Sequence, residues 1–424
     1  MSLSTTQKVI LLLFYISICV LTEIFYREKL FSKSIEFEKE FQHYFSSKIS
    51  QYFFTIITNF GSQVFYIPVF IIFFYLNPIN YNFYILSTLI ISIYIDCLLK
   101  IIYHDPRPFW KEKNLYKECE GGFGNPSGHS FGSCATYLGI YHLSMRNKYF
   151  KKKNNIKIFF FFFTLIFIFL IMISRLYNGT HSINQIIYGF LLGLSIYFLM
   201  FFIINGYLWN PKSFFEKIEK GKIFMIPLFI FLIAFILPFY FIFNADENDI
   251  NNYNIILNSV CPNVKNYAKF NNNGMLGCLL ILIVFGMYLG ILFLKKKSEI
   301  NFPDCENKIV NWNNMNYKIT FIRGFISIIF CLPVLLFLIV IFENNLLLFF
   351  IINIGCTFFF SGFLLFGPGL YYGFILGEKI EKKLYNINVF SIESKTNYAE
   401  VDDDESGEKS KAAPPDKFTI VEIL

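Results

Sequence analysis

Apolar residues along this chain gather into blocks of about 20, long enough to cross a hydrocarbon layer and too long for the core elements of a soluble domain. Such windows fall near 9–25, 53–75, 82–103, 128–145, 156–174, 183–204, 223–243, 275–294, 319–342 and 345–366, with a further apolar run to about 376. The pattern predicts an all-α, multi-pass transmembrane bundle of about ten spans, give or take one at the C-terminal end. Between the first two blocks, residues 27–52 alternate charge with aromatics. That suits a helix lying along the membrane interface, and equally a solvated connection. From about 378 the chain turns acidic, Pro-containing and poor in apolar residues, which predicts a disordered tail.

Composition sharpens this picture more than it changes it. Hydrophobic residues make up 55% of the 424 and aromatics 21%, in keeping with a membrane protein. The excess of Phe, Tyr, Ile, Asn and Lys suits a biased genome, and no function is drawn from it. The net charge of +7 lies largely in loops. Arg146, Lys148, Lys151, Lys152, Lys153 and Lys157 stand together without an acid, and Lys212, Lys217, Lys220 and Lys222 follow two spans later. Lys295, Lys296 and Lys297 continue the alternation. The positive-inside rule then puts both termini in the cytosol, and the loops 104–127 and 175–182 together on the lumenal or extracellular side. It also accounts for the positive charge without nucleic acid. The N-terminal block shows no small-residue cleavage site and reads as an uncleaved span. The nine cysteines follow no metal-binding spacing. Cys119 and Cys261 fall in loops on the same non-cytosolic side, where a disulfide and two unpaired thiols are both open, unpaired thiols being the commoner case.

Three polar segments interrupt the apolar pattern on that side. In DCLLKIIYHDPRPFW, residues 96–110, Lys100 and Arg107 are seven apart, two helical turns, so both can lie on one face of a helix that Pro106 and Pro108 then terminate. Cations at that depth face protein and a partner, or snorkel to the interface, where Asp96 could pair with Lys100. In GNPSGHSFGS, residues 124–133, Ser127 is a good N-cap and Gly128 lets a ligand approach the backbone. The N–H groups that begin the helix would form an anion site, with His129 in its first turn, although a plain polar cap reads equally well. In SRLYNGTHSINQIIYG, residues 174–189, a turn at Asn178–Gly179 would bring Arg175 and His181 together. Asn178-Gly179-Thr180 also fits the glycosylation acceptor pattern, but a sugar there would block the turn. Together, Lys100, Arg107, Arg175 and the Ser127 and Gly128 amides could hold an oxyanion, leaving His129 and His181 for chemistry.

These residues resemble the type-2 phosphatidic acid phosphatase superfamily, which includes lipid phosphate phosphatases, glucose-6-phosphatases and vanadium haloperoxidases. Lys100 with Arg107 and Pro108 matches its first motif, Pro126 to His129 its second, and Ser174, Arg175 and His181 its third. The resemblance covers roughly residues 50–205. It implies that His181 attacks phosphorus and forms a phosphohistidine, that His129 protonates the leaving alkoxide, and that no metal or cofactor takes part. Gln185 stands where the family usually has Asp. A Gln carbonyl could still orient His181 but brings no charge, and Asn59 is a second candidate for that role. Gln185, the aromatic RPFW and the CEGG lead-in to the second motif resemble the glucose-6-phosphatase branch.

The organisation this predicts is a first span and interfacial segment at 1–52, a phosphatase core at 53–205, further spans at 206–377 and the acidic tail at 378–424. A six-helix core is followed by four more spans. The expected substrate is a lipid phosphate such as phosphatidate, lysophosphatidate or a sphingoid-base phosphate, narrowly ahead of a sugar phosphate. The expected membrane is the endoplasmic reticulum, another endomembrane or the plasma membrane. An anion transporter is the alternative of another class, and a phosphotransferase a third reading.

Overall fold

The computed structural model describes residues 4–62, 65–66, 79–115, 118–145, 153–204 and 270–301, with short stretches between 233 and 261 and residues 359 and 363. All lie in one compact unit, Met1–Ile375. The expected tail falls in a second unit, Leu376–Leu424, outside the described residues. The described secondary structure is entirely helical.

Helix α1 runs unbroken over Thr5–Tyr44, started by a capping box between Ser4 and Gln7. At a rise of 1.5 Å per residue it is about 60 Å long, so the expected first span and much of the expected interfacial segment are one rod. No Pro or Gly interrupts it, and Glu23, Ser34, Glu38 and Gln42 recur on one face that is buried against protein. Gln42 Nε2 donates to the carbonyls of Leu115 and Tyr177 at 3.1 and 2.6 Å. The charges that suggested an interface therefore belong partly to a protein contact. Ser47 caps α2, Lys48–Asn59.

Helix α3, Ile79–Tyr103, leads through a turn to the single turn α4, Pro108–Lys111. Helix α5, Gly128–Ser144, lies at the centre and packs on α3, on α6 at Asn154–Tyr177 and on α7 at Ile183–Phe198. The last continues as a π-helical stretch, Leu199–Ile204. Small residues make this packing close. A Cβ at Gly189 would sit 2.6 Å from the Ser127 carbonyl oxygen, and one at Gly193 would sit 2.7 Å from that of Phe131. Gly189 and Gly193 are four apart, the spacing by which membrane helices bring backbones together. Helices α8, Phe270–Leu279, and α9, Ile281–Asn301, pack on α3.

Four stretches are long and apolar enough to cross a membrane, namely Thr6–Tyr44, Tyr81–Lys111, Asn154–Tyr177 and Ile183–Phe201. They match the expected first, third, fifth and sixth spans, and the chain is a membrane protein. Phe159, Phe162, Phe163 and Ile166 point outward from α6 without protein cover. The expected fourth span is the 17-residue α5, whose small and polar side chains are buried inside the bundle. Of the second only 53–62 and 65–66 are described, and the spans near 319–342 and 345–366 lie almost wholly outside the described residues. The number ten therefore rests on the sequence.

Candidate active site

The three polar segments converge at one end of α5. Arg107 stands at the N-cap of α4 in extended conformation. It is past the end of α3, so it does not share a helical face with Lys100 as the spacing suggested. Its guanidinium is held by the carbonyls of Gly122 at 2.9 Å, Gly121 at 3.2 Å and Thr180 at 3.0 Å. Lys100 pairs with Asp96 at 2.9 Å, the pairing open in the sequence.

Arg175 ends α6 and is fully buried. Its Nη1 donates to Thr58 Oγ1 at 2.6 Å and to Glu118 at 3.2 Å, and its Nη2 to Glu120. Its Nε is a buried donor without a partner. The turn to His181 passes through Gly179 at φ +67°, where a side chain would also strike the Leu115 carbonyl. Asn178 is buried and donates to Glu118 at 2.8 Å, so its amide is a structural group and not an exposed sugar acceptor.

His181 is buried. Its Nδ1 lies 2.8 Å from the Gly124 carbonyl oxygen and its Nε2 3.0 Å from Arg107 Nη1. A carbonyl only accepts and a guanidinium only donates, so this pair assigns the hydrogen to Nδ1 and the lone pair to Nε2. Burial, then the charges of Arg107 and Arg175, hold the imidazole pKa well below its usual value, so the ring is neutral.

Gln185 does not reach His181 in this way. Its Oε1 accepts the Ser182 N–H at 3.2 Å and its Nε2 donates to the Pro106 carbonyl at 3.0 Å. The expected orienting acceptor is thus a backbone carbonyl, and Gln185 packs against the glycine that bears it. Asn59 is exposed at the end of α2, and its neighbour Thr58 is the residue that meets the site. Ser127 caps α5 through Ser130, but its own N–H donates to the Gln185 carbonyl at 3.0 Å and is already committed. Gly128 lies against Asp96, where a Cβ would meet the carboxylate at 2.7 Å, and the His129 ring packs over Gly61.

Two acids missed by sequence reasoning complete the arrangement. Glu120 Oε2 is 2.6 Å from Arg107 and 3.7 Å from His181 Nε2, while Oε1 bonds Arg175. Burial alone would raise this carboxyl, but Arg175 and Arg107 hold it well below the usual carboxylate range. Glu120 therefore reports that the cations and both histidines surround one anionic position. The signal was the run ECEGG, whose two acids lie on the same loop side as the cations. The loop is pinned by a disulfide, Cys119 to Cys261, with Cα atoms 6.2 Å apart.

The fold and geometry define a helical membrane protein in which two buried arginines hold a carboxylate beside a neutral histidine. Residues 81–209 match the family model described as PAP2 superfamily. Over 98 residues the chain is 31% identical to phosphatidylglycerophosphatase B of Bacillus subtilis, a match covering 23% of this chain and 45% of that protein. The chain thus spans under half the length of that relative. A solved structure, the crystal structure of the first transmembrane PAP2 type phosphatidylglycerolphosphate phosphatase from Bacillus subtilis, aligns over 47% of this chain and 96% of that chain, at 23% identity and a TM-score of 0.40.

Proposed function

We propose that this chain is an integral membrane phosphatase that hydrolyses the phosphate monoester of a lipid. The observation that carries the proposal is the His181 Nε2 lone pair, fixed by the Gly124 carbonyl and facing a position shared by Arg107 and Arg175. In this reading the phosphoryl group occupies that position. His181 attacks phosphorus as the P–O bond to the alcohol breaks, His129 protonates the departing oxygen, and water then hydrolyses the phosphohistidine. Arg107, Arg175 and Lys100 neutralise the equatorial oxygens and the Gly128 amide donates to them, while Ser127 caps α5 and sets the position of that amide. No metal or cofactor has a step. Gln185 holds the Pro106 carbonyl and the Ser182 amide in place, and Asn59 has no role in the reaction.

The family and the lipid phosphate named in its relative support a lipid substrate. A sugar phosphate is the second reading, favoured by Gln185 at the position usually held by Asp. The site would face the lumen or exterior of an endomembrane or plasma membrane, with both termini cytosolic, as the basic loops suggest.

Detergent-solubilised protein should release inorganic phosphate from phosphatidate or sphingosine-1-phosphate faster than from glucose-6-phosphate, unaffected by EDTA. His181→Ala should abolish release, and Arg107→Ala should lower kcat by roughly 100-fold or more. Anion flux across vesicles that persists in His181→Ala, with no phosphate release by the wild type, would replace this reading with transport.

A further inference from the structure

The Arg107–Glu120–Arg175 cluster has a second consequence, which rests on the phosphatase reading. We propose that Glu120 is a displaceable internal ligand of the phosphate seat, an internal inhibitor that any phosphate must displace before it reaches His181.

Glu120 makes the contacts a phosphate would make. One carboxylate oxygen bonds each arginine, and Oε2 stands 3.7 Å from the nucleophilic nitrogen. A phosphorus atom cannot approach His181 Nε2 while this group remains. The arginines are 3% and 0% exposed in their side chains, whereas Glu120 is 23% exposed. The carboxylate is the most exposed member of the cluster, so it is the one able to leave. When it leaves, Arg107 keeps the Thr180 carbonyl and Arg175 keeps Thr58, partners outside the loop 118–122. Gly122 has φ +80° and open space beside its α-carbon, which gives the chain room to turn next to Glu120. The neighbouring disulfide keeps the carboxylate close to the seat.

Charge decides how readily a ligand wins the seat. A diester exchanges one negative charge for one, and competes with a tethered carboxylate that sacrifices no translational freedom. A monoester dianion brings a second charge to two arginines. The apparent affinity of either is its intrinsic affinity reduced by the fraction of molecules whose seat is vacated, so removing the internal ligand strengthens both by the same factor, and the advantage of the dianion stays with the arginines.

The test uses the full chain in detergent, with orthovanadate as the anion probe and paired monoester and diester lipids as inhibitors of phosphate release. Glu120→Gln should lower the inhibition constant for orthovanadate about tenfold or more, and monoester and diester inhibition should strengthen by similar factors. Cys119→Ser with Cys261→Ser should shift both in the same direction by less. Unchanged or weaker vanadate inhibition in Glu120→Gln, in a preparation whose wild type is active, overturns the proposal. A wild type that neither releases phosphate nor binds orthovanadate overturns the phosphatase reading instead. Should Glu120→Gln fail to fold, hydrogen exchange on wild type decides. Vanadate should speed exchange at amides 118–122, and slowed or unchanged exchange there overturns the proposal.

Discussion

The orientation of His181 depends on one backbone oxygen. The Gly124 carbonyl keeps the hydrogen on Nδ1, a task that a carboxylate four residues after the histidine usually performs in the family the sequence resembles. Gln185 instead ties Pro106 to Ser182. Replacing it with Asp puts a negative charge beside the Pro106 carbonyl and removes a donor, a loss of about 1–3 kcal/mol. Gln185→Asp should therefore lower both thermal stability and kcat, where a missing carboxylate would make kcat rise; steady-state kinetics with a melting curve separates the two. The neutral state of His181 has its own signature. Its folded pKa lies below the unfolded value, so the unfolded chain takes up the proton first and stability falls as pH drops below about 6.5. Glu120, also depressed, adds a second loss beginning near pH 4–5, where the unfolded carboxylate protonates. Melting temperature measured from pH 8 to 5 should decline less steeply in His181→Asn than in wild type. The cations and histidines of this site were legible because their side chains are costly in an apolar setting. The carbonyl of Gly124 was not, since every residue carries one. Glu120 was read as part of a loop motif because an acid's partner is fixed by folding, and Asn59 was chosen over Thr58 because polarity along a helix end does not say which side chain turns inward.

At the scale of elements, the site is held by how closely two helices meet. Helix α7 carries Gly189 against the Ser127 carbonyl, and the Ser127 amide returns a bond to Gln185 in the same helix. These contacts join the second and third motifs. Gly189→Ala would place a methyl 2.6 Å from a backbone oxygen that cannot yield without moving α5. The expected result is a loss of about 1–3 kcal/mol and a marked fall in kcat, read from denaturation and turnover. An equally stable and active variant would show that the helices can separate there without consequence. Helix α1 adds support from outside the matched residues 81–209. Glu23 accepts from Asn125 at 2.7 Å and from Asn184 at 3.0 Å, one in the loop before α5 and the other in the first turn of α7. Hydrophobic block length located the membrane helices, but it divided α1 at its charged residues. It could not distinguish a charge facing water from one facing protein, and α5 read as a span although its small and polar faces are packed inside the bundle.

For the molecule as a whole, the Cys119–Cys261 bond joins the loop beside the site to a residue 142 positions later, outside the matched segment. Disulfides persist in oxidising compartments and are rare where glutathione keeps thiols reduced. The bond thus points to the same side of the membrane that the basic loops assign to residues 104–127. The two arguments are independent, one resting on redox chemistry and the other on insertion energetics, and they can fail separately. Under denaturing conditions, a maleimide-linked polymer should add to at least two more of the nine cysteines after reduction than before. Cys261→Ser should abolish the gain due to this pair. In sealed vesicles with the cytosolic face outward, an impermeant reductant should leave the bond intact until detergent opens the lumen. Reduction without detergent would place the Glu118–Glu120 segment on the cytosolic side, and the phosphate seat with it. A bond absent in both cases would remove the tether from Glu120, and with it the reason for that carboxylate to remain beside the two arginines at high local concentration.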